Sequence, residues 1–196
     1  MQVTKRERAR PLSPEERREA IIAATRPLLY EHGRATTTKQ IAEAAGIAEG
    51  TVFRAFATKE ELFEAVIEAE FDPASFLEEV ARIDPDLDLR DRLVAYTTLL
   101  QQRFVGLFAL MAAMGMRKPP AALESAEARR RLANGGLARL IADDADRFTV
   151  PIDQVVHMVR LLTFSGSHPH ISDQQPLRPD QIVDVILHGV LREDRS

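Results

Sequence analysis

The sequence predicts an all-α protein in which a small N-terminal three-helix domain precedes a larger helical bundle. Three observations support this prediction. Apolar residues recur at helical spacing along most of the 196 residues, and no segment alternates as a half-buried strand does. Proline, glycine and aspartate separate the periodic segments. Capping boxes, in which Ser or Thr is followed three residues later by Glu or Gln, begin at Ser13, Thr37 and Thr58.

The composition, with 45% hydrophobic and 29% charged residues, is typical of a soluble globular protein. The chain contains no uncharged apolar run of about 18 residues, and its basic first ten residues precede no apolar stretch of a signal peptide. We therefore expect a cytoplasmic protein with no membrane partner. The absence of cysteine excludes disulfides and thiolate chemistry, and no cofactor or metal is expected.

The charge is divided unevenly along the chain. Residues 1–59 carry 11 Lys and Arg against 7 Asp and Glu, whereas residues 60–196 carry 15 against 23. The net charge of −4 therefore conceals a basic N-terminal segment, which favours a polyanionic partner. We expect a basic arm over residues 1–12, which either follows DNA into a groove or is a disordered tail, a DNA-binding domain over 13–59, and an effector-binding and dimerisation domain over 60–196.

Each helix of the N-terminal domain has its own start and stop signals. The first should begin at Pro14 and end at Gly33, with a kink at Pro27. A second helix of about two turns should lead from the Thr37 box to Gly46. A third segment covers residues 49–56, and the Thr58 box should open a longer helix that extends to about residue 70.

The second and third helices form a candidate helix-turn-helix, because small and apolar residues let two short helices pack at a steep angle. Val52 and Phe56 are predicted to fill the groove between them as core residues. The opposite face of the third helix offers small, hydroxyl, planar and guanidinium groups that suit a major groove. Its residues are Glu49, Gly50, Thr51, Phe53 and Arg54. Arg54 is the best candidate for base recognition, because Arg pairs bidentately with guanine.

Helix N-termini present backbone N–H groups that suit phosphates. Thr37, Thr38, Lys39 and Lys59 are therefore candidate contacts to the DNA backbone. Glu49 has two interpretations: its carboxylate either accepts from a cytosine amino group or favours its helix N-terminus.

The stretch from Thr37 to Leu62, TTKQIAEAAGIAEGTVFRAFATKEEL, resembles the DNA-binding signature of the TetR family. The resemblance covers roughly residues 13–70 and implies two sets of contacts. Phosphates would be bound by Thr38, Phe53 and Lys59; the groove would be contacted by Lys39, Glu49, Gly50, Thr51, Arg54 and Ala55. The family usually has Tyr where this chain has Phe53, so a hydroxyl contact to phosphate found in relatives is missing here.

Two late segments are apolar over more than one face, which predicts a homodimer whose four central helices bury the surplus. The candidate interface residues are Val155, Val159, Leu162, Ile182, Ile186 and Val190. A single protomer that covers both helices is the alternative. The resemblance also implies dimerisation, because TetR-type proteins typically pair through their last two long helices. Two recognition helices about 34 Å apart could then bind successive major grooves.

The remaining bundle contains apolar stripes over residues 89–107 and 137–148. The pair Gly135-Gly136 indicates a kink, a close helix crossing or a later helix start. Met and Phe can line an adaptable cavity, although ordinary core is the stronger interpretation. The candidate pocket residues are Phe104, Phe108, Met111, Met114 and Phe148. The resemblance implies an effector pocket in this body, bounded in part by the helix after Lys59.

Together these patterns predict a sequence-specific transcriptional regulator. We expect it to be a repressor that an unidentified small molecule releases from a near-palindromic double-stranded operator. One alternative is an architectural DNA-binding protein without an effector. The other is a metalloenzyme that uses His168 and His170 with His157 or His188, although the His-Pro-His segment lies in a Gly-, Ser- and Pro-rich connection that is more typical of a loop.

Overall fold

The computed structural model describes residues 12–118 and 136–190, which are helical and contain no β-strand. The chain folds as two compact units, of which the first ends at Ala69 and the second begins at Glu70. The all-α prediction is confirmed. The functional boundary expected after residue 59 stays a prediction, and the basic arm lies almost wholly outside the described residues.

The first unit contains four α-helices and a short 3-10 turn. These elements are α1 (Pro14–His32), the 3-10 turn (Gly33–Ala35), α2 (Thr38–Ala45), α3 (Glu49–Ala55) and α4 (Lys59–Phe71), of which the last two residues belong to the second unit. Helix α1 packs on α2 and α3, and α2 packs on α3. The side chains buried in this unit include Ile21, Leu29, Ile41, Val52, Phe56, Leu62 and Val66. The packing of the two short helices α2 and α3 on α1 therefore rests on an apolar core.

Two of the predicted capping boxes form completely. The Ser13 hydroxyl accepts from the Glu16 N–H, and the Glu16 carboxylate accepts from the Ser13 N–H. Thr37 and Gln40 make the equivalent pair at the start of α2. Each predicted glycine stop is also present: Gly33 has φ 52° and Gly46 has φ 65°, values at which a residue with a Cβ is strained.

The third capping box forms only in part. The Glu61 N–H donates to the Thr58 hydroxyl at 3.0 Å, as predicted. The Glu61 carboxylate, however, accepts from the Ala57 N–H at 2.7 Å. Because of this bond, and next because of the bond from Arg18, the pKa of Glu61 is lowered.

The second unit is built around a long helix. Its described elements are α5 (Ala74–Val80), α6 (Leu89–Ala113), α7 (Leu137–Leu140), a 3-10 helix (Ala142–Arg147), α8 (Ile152–Ser167) and α9 (Pro179–Val190). Helix α6 packs against α5, α7, α8 and α9. Among the described helices, α6 is long and apolar enough to cross a membrane by length and composition, yet its Leu89, Leu93 and Tyr96 lie in the core of this unit.

Most of the side chains predicted to form the dimer contact on α8 and α9 are buried within one protomer. Val155, Val159 and Ile182 are 0% exposed, and Ile186 is 5% exposed, in the core of the second unit. Their place in a dimer interface stays a prediction, and their burial favours the exposed faces of the same two helices instead. Leu162 is partly buried against the same core, and the Val190 side chain lies outside the described part.

Of the glycine pair, Gly136 is described and Gly135 lies outside the described residues. Helix α7 starts directly after Gly136, and the choice between a kink and a later helix start stays a prediction. A Cβ at Gly136 would lie 3.3 Å from Tyr96 Cε2. This close approach of the chain to α6 favours glycine at this position.

Candidate nucleic-acid interface

Helix α3 has one buried and one exposed face. Val52, and Phe56 directly after the helix, are each 2% exposed and anchor α3 to the core, as predicted. On the other side Arg54 is exposed, and Phe53 is 51% exposed. Phe53 and Arg54 are therefore accessible to a ligand on this face of α3.

Gly50 lies on this exposed face with no steric need to be glycine. Its backbone is helical, and a Cβ built on it would meet no atom within 4 Å. Glycine inside a helix is nevertheless unfavourable by about 1 kcal/mol relative to Ala. The fold therefore gives no reason for this residue, whereas the close approach of a ligand does.

Glu49 and Thr38 interact directly across the turn between α2 and α3. The Thr38 hydroxyl donates to the Glu49 carboxylate. Both residues were predicted to contact DNA, and the bond brings the N-terminus of α2 next to the N-terminus of α3. The carboxylate also lies in the first turn of α3, where the helix dipole favours negative charge.

The remaining polar candidates differ in whether their side chains form hydrogen bonds within the domain. Lys39 is exposed. The Thr37 hydroxyl is held within its capping box. The Lys59 ammonium donates to the Arg34 and Thr36 carbonyl oxygens at 3.3 and 3.4 Å and lies 5.3 Å from the centre of the Phe63 ring. Lys59 therefore holds the 3-10 turn against α4.

Arg18 is a residue of this region that sequence reasoning missed. Its guanidinium donates to the Ala55 carbonyl oxygen at the end of α3 and to the Glu61 carboxylate at 3.2 Å. It also lies 4.0 Å from the centre of the Phe56 ring. Arg18 thus joins α1 to both the end of α3 and the start of α4. Local sequence patterns do not indicate these two contacts, because they join residues that lie 37 and 43 positions apart in the chain.

The second unit has a cavity of about 580 Å³ between the end of α6 and the connection from α8 to α9. Phe108 and Met111 line it, and the Phe104 ring lies 6.0 Å from that of Phe108. Met114 and Phe148, in contrast, are 1% and 2% exposed and do not line this cavity. Their place in an effector pocket stays a prediction, because helical spacing does not distinguish a core position from a cavity wall.

The histidine candidates do not come together as a ligand set within the described ranges. The His168 and His170 rings lie 5.9 Å apart. Residues 12–118 and 136–190 contain no group of three or more His, Cys, Asp or Glu that could hold a metal ion.

A short helix that has one exposed face, follows a left-handed glycine turn and packs on two other helices is typical of a helix-turn-helix DNA-binding domain. Residues 21–66 match the family model described as bacterial regulatory proteins, tetR family. Over these residues the chain is similar to that family, and the helix-turn-helix fold supports a DNA-binding transcriptional regulator.

Solved structures extend the likeness in fold to nearly the whole chain. A transcriptional regulator from Rhodococcus sp. Rha1 is 20% identical with a TM-score of 0.61, over 93% of this chain and 100% of that one. A TetR transcriptional regulator from Streptomyces coelicolor is 21% identical with a TM-score of 0.54, over 90% and 99%. NalD, the secondary repressor of the MexAB-OprM multidrug efflux pump in Pseudomonas aeruginosa, is 20% identical with a TM-score of 0.52, over 92% and 100%.

Proposed function

We propose that this protein is a cytoplasmic, non-enzymatic repressor that binds a near-palindromic operator as a homodimer and is released by a small-molecule effector. The observation that carries the proposal is the exposed face of α3, where Gly50 leaves open space beside Phe53 and Arg54. This combination of a bare backbone, a ring and a guanidinium group suits a major groove.

The candidate residues divide into two roles. Arg54 would pair with guanine, while Gly50, Thr51 and Ala55 allow the helix to approach the bases closely. Lys39, Thr37, Thr38, Lys59 and Phe53 would position the domain on the phosphates. Glu49 would reach a cytosine amino group only by giving up or sharing its bond with Thr38. Lys59 would likewise reach a phosphate only by giving up or sharing its bonds with the Arg34 and Thr36 carbonyl oxygens.

The dimer is proposed to form through the faces of α8 and α9 that the protomer leaves exposed. Leu161 is 44% exposed on α8, and Val185 is 63% exposed on α9. Gly189, one turn after Val185, has open space around it and allows a second helix to approach closely. The two helices pack against each other. These apolar and small positions suit an isologous pairing with a second copy.

Release by an effector follows from thermodynamic linkage. An effector that binds better to the conformation with misplaced recognition helices must weaken DNA binding by the same coupling free energy, typically about 1–3 kcal/mol. The cavity beside α6 offers space for such a molecule, since its volume lies within the range of small-molecule sites.

The decisive experiment selects bound sequences from a random double-stranded DNA pool and then titrates the selected site with wild type and Arg54→Ala. We expect a near-palindrome, and we expect Arg54→Ala to lose about 1–3 kcal/mol of binding free energy with relaxed preference at one base pair per half-site. The matched control is Arg139→Ala, which removes the same charge from an exposed position in the second unit.

Two results would overturn the proposal. The first is weak, salt-sensitive binding without sequence preference, which indicates a purely electrostatic association or an architectural protein. The second is an equal loss of affinity for Arg54→Ala and Arg139→Ala with unchanged base preference, which would mean that Arg54 contributes only charge.

A further inference from the structure

The cavity of the second unit has a continuous apolar wall on one side. Val105, Phe108, Met111 and Met116 line it from α6 and the turn that follows. Met side chains adapt to ligands of different shape, and Phe108 offers an aromatic surface. This wall suits an alkyl or aromatic group.

The cavity is also lined by polar side chains and by one positively charged side chain. Arg117 lines the cavity next to the apolar wall, and His168 and Gln174 line it from the connection between α8 and α9. Among the described residues that line the cavity, none is Asp or Glu. This absence is notable because residues 60–196 as a whole carry 23 acidic against 15 basic side chains.

The hydrogen bonds of His168 leave one ring nitrogen to act as a donor. Its Nδ1 atom accepts from the His170 N–H at 3.3 Å, so the proton of the neutral ring is on Nε2. The ring also meets Phe108 edge-on, with 4.7 Å between the ring centres. His168 therefore joins the polar side of the cavity to its apolar wall.

The α8–α9 connection holds these groups in a fixed shape. Asp173 and Gln174 have φ of 49° and 62°, a conformation that costs energy for residues with a Cβ. The Gln174 N–H and side-chain amide both donate to the Pro169 carbonyl oxygen, at 2.9 and 3.2 Å. The Ser172 hydroxyl donates to the His168 carbonyl oxygen. Strained backbone held by several bonds is typical of a binding segment.

We propose that this cavity binds a small anionic amphiphile, namely a monocarboxylate with an alkyl or aromatic tail. The tail packs on Phe108, Met111 and Met116, and the carboxylate pairs with Arg117 and accepts from His168 Nε2. A guanidinium–carboxylate contact is among the stronger polar interactions, and none of the described lining residues would repel an anion.

The inference rests on the proposed function only in identifying this molecule as the effector. Binding itself is measured on the full chain without DNA, by titration calorimetry with three probes that share one tail: decanoate, 1-decanol and decyltrimethylammonium. The probes are kept below their micelle concentrations. We expect decanoate to bind about tenfold or more tightly than 1-decanol, and decyltrimethylammonium to bind weakest.

Two variants separate the charged contact from general electrostatics. Arg117→Gln should lower the affinity for decanoate by about tenfold and leave the affinity for 1-decanol unchanged. Lys118→Gln removes the same charge from the adjacent exposed residue, which does not line the cavity, and should change decanoate binding less than about twofold. Circular dichroism confirms that each variant is folded.

Three outcomes would overturn the inference: no decanoate binding, equal binding of decanoate and 1-decanol, or equal effects of Arg117→Gln and Lys118→Gln. These outcomes are distinct from a failure of the proposed function, because operator binding is measured separately on the ligand-free protein. If the protein selects a near-palindrome but does not bind decanoate, the regulator proposal stands and the anionic-ligand proposal fails.

Discussion

At the scale of single residues, the structure separates positions that the fold requires from positions that it does not. Gly46 has a left-handed backbone, so the turn itself requires glycine. Gly50 is helical and surrounded by open space, so the fold does not require it. The same residue type thus has a structural role at one position and, as we propose, a binding role four residues later.

Gly50→Ala tests this distinction with two opposite effects. Because Ala is the better helix former and fits without a clash, the free energy of unfolding should rise by about 0.5–1 kcal/mol. Operator affinity should fall by about tenfold, because the added methyl group occupies the space proposed for the bases. Urea denaturation and DNA titration measure the two effects. A variant that is more stable and binds equally well would contradict the close-approach role.

Asp144 is a buried charge in the second unit. Its carboxylate accepts from Arg92 at 2.6 Å and from Arg147 at 2.8 Å, and the Arg92 and Asp144 side chains are only 12% and 10% exposed. Burial by itself raises the pKa of Asp144, but the hydrogen bonds from Arg147 and Arg92 outweigh it, so the pKa is lowered overall. The charged form is therefore the stable one in the folded protein.

Asp144→Ala should lower the free energy of unfolding by about 3 kcal/mol at pH 7, because it leaves Arg92 buried without its carboxylate partner. A carboxyl with a lowered folded-state pKa stabilises the fold above its unfolded pKa, about 3.9. This contribution is lost as the pH falls through the folded-state pKa. The difference between wild type and variant should therefore shrink below about pH 4 in urea denaturation. A difference that stays constant on acidification would exclude the ionic contribution.

At the scale of elements, the recognition helix is too short to hold itself in place. Helix α3 has seven residues and no side-chain cap at its N-terminus, and isolated helices of this length are unstable in water. Its orientation depends on Val52 and Phe56 in the core and on Arg18 at its end. Arg18 is therefore a positioning residue for DNA binding.

Arg18→Gln should lower the free energy of unfolding by about 1–2 kcal/mol, since it removes the contact over Phe56 and the bonds to Ala55 and Glu61. Operator affinity should fall while the selected base sequence stays the same, since Arg18 contacts helices rather than bases. Arg17→Gln is the control, because the Arg17 guanidinium bonds only to the Leu12 carbonyl oxygen among the contacts described. A changed base preference for Arg18→Gln would instead indicate direct contact with DNA.

At the scale of the whole molecule, the proposed dimer depends on which apolar side chains the protomer leaves uncovered. The core of the second unit uses Val155, Val159 and Ile182. Val185 and Leu161 remain exposed on the other faces of the same two helices. The hydrophobic surplus that suggested a dimer is therefore smaller than the sequence indicates and lies on a different face.

Val185→Glu should convert the dimer to a monomer, because the isologous pairing would place two carboxylates in an apolar contact. Operator affinity should fall steeply, since one recognition helix alone contacts only a half-site. Sedimentation equilibrium and DNA titration measure both effects. Leu87→Glu adds the same charge at an exposed apolar position outside α8 and α9 and should leave the dimer intact. An unchanged mass for Val185→Glu would place the interface elsewhere.

Features that depend on neighbours along the chain follow from the sequence alone. The helix starts at Ser13 and Thr37 and the turns at Gly33 and Gly46 are local, because their hydrogen bonds join residues three to five apart. The family signature belongs with them, since it lies within one continuous stretch.

Features that depend on contacts between distant residues required the folded structure. It placed Arg18 on the end of α3, buried Met114 and Phe148, and covered Val155 and Ile182 within one protomer. Helical periodicity shows which apolar residues lie on the same face of a helix. It does not specify whether that face meets another helix of the same chain, a cavity or a second copy, because burial depends on elements separated by tens of residues.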